Sequence, residues 1–184
     1  MFESAPVALT PAPLASAALA RASAPVDERA AIAVARGLCR LFARNDIWCL
    51  AEMPLRPVNG LASRRADLMG VDAKGRVVIV EIKVSRADLL GDGKWPDYLA
   101  HCDRFYWGLP PQLDRTCLDD PAFLPHACGV IVADGYDAEI VRPAPALPLA
   151  AARRRVEVEW LARAALRRQL VALDPHCSGW GAGQ

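Results

Sequence analysis

Lysine is scarce in this chain. Of its 22 basic residues only Lys74, Lys83 and Lys94 are lysines, so the other 19 are arginines. Guanidinium groups bind phosphate bidentately, which an ammonium cannot do. The positive charge is not in excess, however, because the net charge is +1. No bulk field advertises a nucleic-acid partner, and the distribution of arginines matters more than their sum. Long apolar runs are missing too. None approaches the ~18 consecutive residues a membrane-spanning helix needs, which argues against a membrane role. The six cysteines, Cys39, Cys49, Cys102, Cys117, Cys128 and Cys177, show no close pair and no zinc-ligand spacing. They read as free thiols in a reducing cytoplasm rather than a disulfide framework. His101, His126 and His176 show no metal spacing either and read as structural.

A signal peptide is not expected at the amino-terminal stretch, although Ala20-Arg21-Ala22-Ser23-Ala24 faintly resembles a signal-peptidase site. Glu3 stands where a positive charge is required, and Pro6, Pro11 and Pro13 interrupt any apolar helix. Residues 1–24, rich in Ala and Pro, are expected to be a disordered tail, residues 25–173 one domain, and 174–184 a flexible tail. With 184 residues, 53% apolar and 23% charged, the chain is long enough for one well-cored domain.

Periodicity then orders the chain. A helix is expected from Asp27, as its cap, to Arg44, with Val34, Leu38, Leu41 and Phe42 on its core face and Arg29, Arg36, Arg40 and Arg44 on another. Glu28 in its first turn is a carboxylate favoured by the helix dipole. Ser85-Arg86-Ala87-Asp88 reads as a capping box before a short helix broken by Gly91 and Gly93. Lys94 to Cys102 reads as a second helical segment. Strands are expected at 104–108, 129–133 and 138–142, and a last helix over about 149–172, although Val156-Glu157-Val158-Glu159 alternates like a strand. No internal repeat appears. The order implies a single α/β domain with a mixed central sheet flanked by helices.

The most informative segment is Val77-Val78-Ile79-Val80-Glu81-Ile82-Lys83-Val84. Apolar on both faces, it reads as a strand in the middle of a sheet. Glu81 and Lys83 share one face of it. Burying charge there costs several kcal/mol unless it is paired or binds an ion. A polar turn, Asp72 to Arg76, precedes the run. A hairpin centred on Lys74 sets Val71 against Val77 and Asp67 against Glu81. Asn59-Gly60 signals an earlier hairpin that sets Glu52 against Asp67, although Pro54 and Pro57 weaken that pairing. Opposed carboxylates are tolerated when a hard divalent cation lies between them.

Asp67 followed by Glu81-Ile82-Lys83 resembles the Asp…Glu-x-Lys signature of restriction-endonuclease-like nucleases. The flanks Arg64-Arg65-Ala66-Asp67, Val80 to Ser85, Lys94 to Leu99, Cys102 to Tyr106 and Val132 to Tyr136 resemble one branch, the MmcB-like family of bacterial DNA repair proteins. The likeness covers about residues 28–172, with Ala66 in place of the proline that often precedes the aspartate. It implies a restriction-endonuclease-like core, a role in DNA repair and Mg²⁺ or Mn²⁺ as cofactor. Asp67, Glu81 and the carbonyl of Ile82 would hold the metal, Lys83 would act on the water or the phosphate, and cleavage would leave a 3′-hydroxyl and a 5′-phosphate.

Other residues stay open between two roles. Glu52 is a further ligand or base, or a paired surface carboxylate. Lys94 and Tyr98, four apart on a helix, contact the site, or are a solvated lysine beside a packed tyrosine. Trp95 is expected in the core or an interface. Arg64, Arg65 and Arg86 flank the site and are expected to meet DNA phosphates, as is the arginine cluster from Arg153, Arg154 and Arg155 to Arg168. The expected function is a cytoplasmic, nucleoid-associated deoxyribonuclease acting with DNA and other repair proteins. Its rivals are a non-cleaving DNA-binding module of the same fold and a nuclease acting on RNA.

Overall fold

A computed structural model describes residues 26–57 and 63–179. Helix α1, Val26–Arg44, forms where Val34, Leu38 and Phe42 recur at helical spacing, and all three are buried. It begins one residue before Asp27, so Asp27 lies with Glu28 in the first turn instead of capping it. Three strands follow: β1 (Ile47–Leu55), β2 (Arg64–Asp72) and β3 (Val77–Ile82). The β2–β3 register places Val71 against Val77 and Leu68 against Val80, as the Lys74-centred hairpin requires. Asp72 shapes that turn by accepting from the backbone N–H of Lys74 and Arg76, both at 2.9 Å, while Gly75 takes φ 72°, a value glycine adopts without strain. The Asn59-Gly60 turn lies outside the described residues, yet β1 and β2 pair in the register it implies, Ala51 against Leu68 and Met53 against Ala66.

Helix α2 (Arg86–Gly91) starts at Ser85, whose hydroxyl accepts from the N–H of Asp88. The segment expected to be a second helix is a 3-10 helix, Trp95–Ala100. Strands β4 (Arg104–Leu109), β5 (Cys128–Ala133) and β6 (Ala138–Arg142) complete one six-stranded sheet in the order β1 to β6. Neighbours are antiparallel at both ends, while β3, β4 and β5 run parallel in the middle. The fold is α/β, a mixed sheet flanked by helices. Helix α3 (Ala151–Leu173) includes the strand-like stretch from Val156 to Glu159. After α3, Pro175–Gly179 form a 3-10 helix with Cys177 buried, and the Ser178 carbonyl accepts from Arg167.

Two cores sandwich the sheet. On one face α1 packs Val34, Leu38 and Phe42 against Val78, Val80 and Ile131. Gly37 permits this approach, because a Cβ there would lie 2.4 Å from the carbonyl oxygens of Asp134 and Asp137. Arg40 donates to the carbonyls of Gly135 and Tyr136, and Arg44 pairs with Asp137, so these arginines pin the β5–β6 turn. On the other face Leu161 of α3, Trp95 and Tyr98 pack with Met69, Ile79, Phe105 and Trp107. Burying a side chain such as Leu38 stabilises by about 1.5–3 kcal/mol.

Candidate active site

Alternation along β3 sends Val78, Val80 and Ile82 toward α1, and Val77, Ile79 and Glu81 toward α3. The strand ends at Ile82, but the N–H of Lys83 still donates to the Gly108 carbonyl at 3.0 Å. That bond holds Lys83 on the line of the strand. Glu81 and Lys83 are 7% and 6% exposed, with Lys83 Nζ 3.4 Å from Glu81 Oε1. Two further carboxylates reach Lys83: Asp92 Oδ2 at 2.8 Å and Asp88 Oδ1 at 3.5 Å. They are four residues apart across the end of α2, so the helix that Ser85 caps delivers both to one ammonium. Burial alone would lower the Lys83 pKa, but the hydrogen bond to Asp92 and the surrounding acids raise it above its ordinary value.

Asp67 stands one step past the last β2–β3 pair, opposite Glu81. The ladder ends there, and the Asp67 carboxylate takes its place, with Oδ2 accepting from the N–H of Ile82 at 2.7 Å. Burial raises the Asp67 pKa; the Ile82 N–H and Lys83 pull it down, and Glu52 and Asp88 push it up. Glu81 is pushed up to about 8, first by burial and then by the charge of Asp67, with Lys83 opposing. Its second oxygen, Oε2, is buried and has no hydrogen-bond partner among the described residues. An unsatisfied buried carboxylate oxygen costs at least about 1–3 kcal/mol, so the arrangement wants a further positive or donating group.

Glu52 lies in the expected register opposite Asp67, but the two are not ladder partners. Its backbone takes φ 52°, left-handed for a residue with a side chain. Alternation breaks at this point: Leu50 and Met53 pack in the same core instead of on opposite faces. Arg168 of α3 holds the kink by donating to the carbonyls of Ala51 at 2.6 Å and Glu52 at 3.0 Å. The Glu52 side chain turns outward and pairs with Arg65 at 2.6 Å, both more than half exposed.

Tyr98 reaches the same region from the α3-side core that Glu81 faces. Its ring stacks on Phe105 at 5.9 Å and its hydroxyl donates to the Arg65 carbonyl at 3.2 Å. Burial, then the charges of Glu81, Asp92 and Asp67 and a hydrogen bond between its hydroxyl and the Glu81 carboxylate, raise its pKa well above the usual phenol range. Lys94 does not share this face. It is exposed at the cap of the 3-10 helix, whose three residues per turn separate positions four apart.

The arginines divide sharply. Arg64 is tied to Asp97 at 2.7 Å and is one-fifth exposed. Arg65 and Arg86 are exposed, the latter 3.5 Å from Asp114. The Arg153–Arg155 cluster is not a free phosphate-binding surface. Arg153 is bound to Glu157, which is fully buried, and to His101, while Arg154 holds buried Asp103 with Nε at 3.0 Å. Only Arg155 projects outward, 3.5 Å from Glu159. The helical period explains the split, since three consecutive residues cannot share one face.

Sequence reasoning missed Asp88 and Asp92 as partners of Lys83. Two acids four apart directly after the Glu-x-Lys strand were the available signal. Among the described residues no three His, Cys, Asp or Glu side chains form a metal cage. Mg²⁺ does not need one, since one or two carboxylates with water and substrate phosphate hold it. Asp67 and Glu81, all-oxygen donors with Glu81 Oε2 unpartnered, fit such an ion.

Fold and site together define an α/β protein with a buried acid–lysine cluster where its antiparallel strands part. A family model described as DNA repair protein MmcB-like matches residues 19–176, and the chain belongs to that family of DNA repair proteins. It is similar to the solved structure of the SPO1766 protein of unknown function from Silicibacter pomeroyi: 36% identity over 88% of this chain and 99% of that one, with a TM-score of 0.66. No curated protein matches. Among the described residues no helix is long and apolar enough to cross a membrane.

Proposed function

We propose that the chain is a Mg²⁺- or Mn²⁺-dependent deoxyribonuclease of the restriction-endonuclease-like class, cutting DNA during repair. The observation that carries this reading is the unpartnered Oε2 of buried Glu81, set beside Asp67 and Lys83. When bound, the ion would stabilise charge on the scissile phosphate and make water a better nucleophile. Asp67 and Glu81 would hold it through carboxylate oxygens, together with the Ile82 carbonyl. The Ile82 N–H already fixes the Asp67 carboxylate, so that ligand is oriented before the ion arrives. Lys83, kept charged by Asp92, would orient the attacking water or neutralise charge on the phosphate. The Tyr98 hydroxyl, fixed on the Arg65 carbonyl, would line the site, and exposed Arg65, Arg86 and Lys94 would meet the DNA backbone. Products would carry a 3′-hydroxyl and a 5′-phosphate.

The test is a cleavage panel of single-stranded, flapped, nicked and branched DNA with Mg²⁺ or Mn²⁺. Activity should vanish in EDTA and in Asp67→Ala, Glu81→Ala and Lys83→Ala, each checked for folding. A second reading, a non-cleaving module that holds DNA and other repair proteins, draws on one observation: Lys83 is already held by three carboxylates, which compete with a phosphate for it. Wild-type binding without cutting across the whole panel would select it.

A further inference from the structure

The cysteines, scattered in sequence, do not all stay apart in space. Cys39 of α1 and Cys49 of β1 are 10 residues apart, and the fold sets their sulfurs 3.6 Å from each other. Both are half-buried thiols, so a small oxidant can reach them, whereas Cys102 and Cys128 are fully buried. A disulfide needs about 2.05 Å between sulfurs, so closure asks for roughly 1.5 Å of approach. Both residues pack on the α1 core, on the opposite side of the sheet from Glu81. We propose that Cys39 and Cys49 are a dithiol site that hydrogen peroxide closes to a reversible disulfide bridging α1 and β1.

The chemistry balances as two steps. The Cys39 thiolate, its proton already released to solvent, attacks one peroxide oxygen, the O–O bond breaks, and the departing hydroxide takes a proton back from solvent to become water. Cys39 is then a sulfenic acid. The Cys49 sulfur attacks the Cys39 sulfur, the S–O bond breaks, and hydroxide leaves with the Cys49 proton as a second water. Two thiols lose two electrons, and peroxide gains them. The division of roles follows from the contact. The hydrogen bond shared by the two sulfurs lowers the Cys39 pKa against the opposing effect of burial and raises that of Cys49. The lowered thiol, Cys39, is thus assigned as the attacking thiolate, and Cys49 as the thiol that resolves it. A reducing cytoplasm restores the dithiol, which suits a transient bond better than a structural one.

The proposal stands apart from cleavage, and its test needs neither DNA nor metal. The full chain is treated with stoichiometric hydrogen peroxide at neutral pH, denatured in iodoacetamide and mapped by peptide mass spectrometry. The expected result is a Cys39–Cys49 cross-linked peptide lighter by two hydrogen atoms, with the other four cysteines alkylated. Dithiothreitol should restore all six reactive thiols. In Cys49→Ala the sulfenic acid should persist on Cys39 and be trapped by dimedone; Cys39→Ala should show no trapped cysteine. Oxidation spread over the other cysteines, a different cross-link, or survival of both thiols would each overturn it. If either variant fails to fold, the wild-type peptide map still decides.

Discussion

Asp103 and Glu81 are both buried carboxylates beneath α3, yet their surroundings differ completely. Asp103, 1% exposed, accepts from the N–H of Val77 at 2.8 Å and of Leu149 at 2.9 Å, and from Arg154. Burial would raise its pKa, but Arg154 and the two backbone donors outweigh that and hold it below the ordinary value. Glu81, 7% exposed, has one long contact to Lys83, an orphaned oxygen, and a pKa near 8. One carboxylate is a finished structural joint between β3, β4 and α3. The other is held in an environment that disfavours its charge. Burial is common to both, so it is the supply of donors that separates these two carboxylates.

The largest effect should come from breaking the anchor. Asp103→Ala strands Arg154 and two backbone donors, and should lower unfolding stability by about 3–5 kcal/mol in denaturant titration. Because the folded pKa is depressed, this stabilisation is present above the unfolded value of about 3.8 and lost as pH falls through the folded pKa. A near-neutral Asp103→Ala would mean that α3 is held by its apolar face alone.

Glu81→Gln should act in the opposite direction. Its folded pKa, about 8, lies above the ordinary value of 4.5, so the folded state keeps a proton that the unfolded chain releases. Wild-type stability therefore falls as pH rises from about 4.5 to 8, and the glutamine variant escapes that fall. In EDTA above pH 8 the variant should be more stable by a few kcal/mol. Equal pH profiles for the two proteins would show that the orphaned oxygen finds a partner in solution.

A divalent ion should sharpen the same contrast more gently. At an assumed ~1 mM dissociation constant, ~10 mM Mg²⁺ would stabilise the wild type by roughly 1.4 kcal/mol, a few degrees of melting temperature. Asp67→Asn should shrink that response while melting no lower than wild type in EDTA, and Asp103→Asn should leave it intact. If Mg²⁺ raises both variants equally, the ion is bound elsewhere.

The smallest effects belong to the exposed arginines. Arg65→Ala and Arg155→Ala should change stability by less than about 0.5 kcal/mol. If they touch DNA phosphates, each should reduce the slope of log affinity against log salt by roughly one. Arg153→Ala should instead destabilise, because it uncovers buried Glu157. Circular-dichroism melts alongside a salt titration separate the two classes.

Much of the architecture was legible from local pattern. Period-2 alternation and the Asp72–Arg76 turn gave the β2–β3 register, and that register brings Asp67, Glu81 and Lys83 together. The helical repeat of Val34, Leu38 and Phe42 named the core face of α1. These readings work because neighbours along one strand or helix are geometrically tied to each other. The kink at Glu52 was not legible, since its left-handed backbone depends on Arg168, 116 residues away, capping the carbonyl. Nor was the fate of Arg153 and Arg154, which looked like a phosphate-binding run until Asp103 and Glu157 claimed them.

By itself, then, the sequence determined the strands, the helices and the carboxylate–lysine group, because each depends on spacing within one hairpin or one helical turn. Tertiary structure alone decided which charges were spent on structure and which were left unsatisfied. That choice sets Asp103 against Glu81, turns Glu52 outward, gathers Asp88 and Asp92 on Lys83, and brings Cys39 to Cys49. The physical reason is that desolvation and partnership are properties of a packed environment. A carboxylate, a guanidinium or a thiol reads the same in any sequence until its neighbours from distant segments arrive.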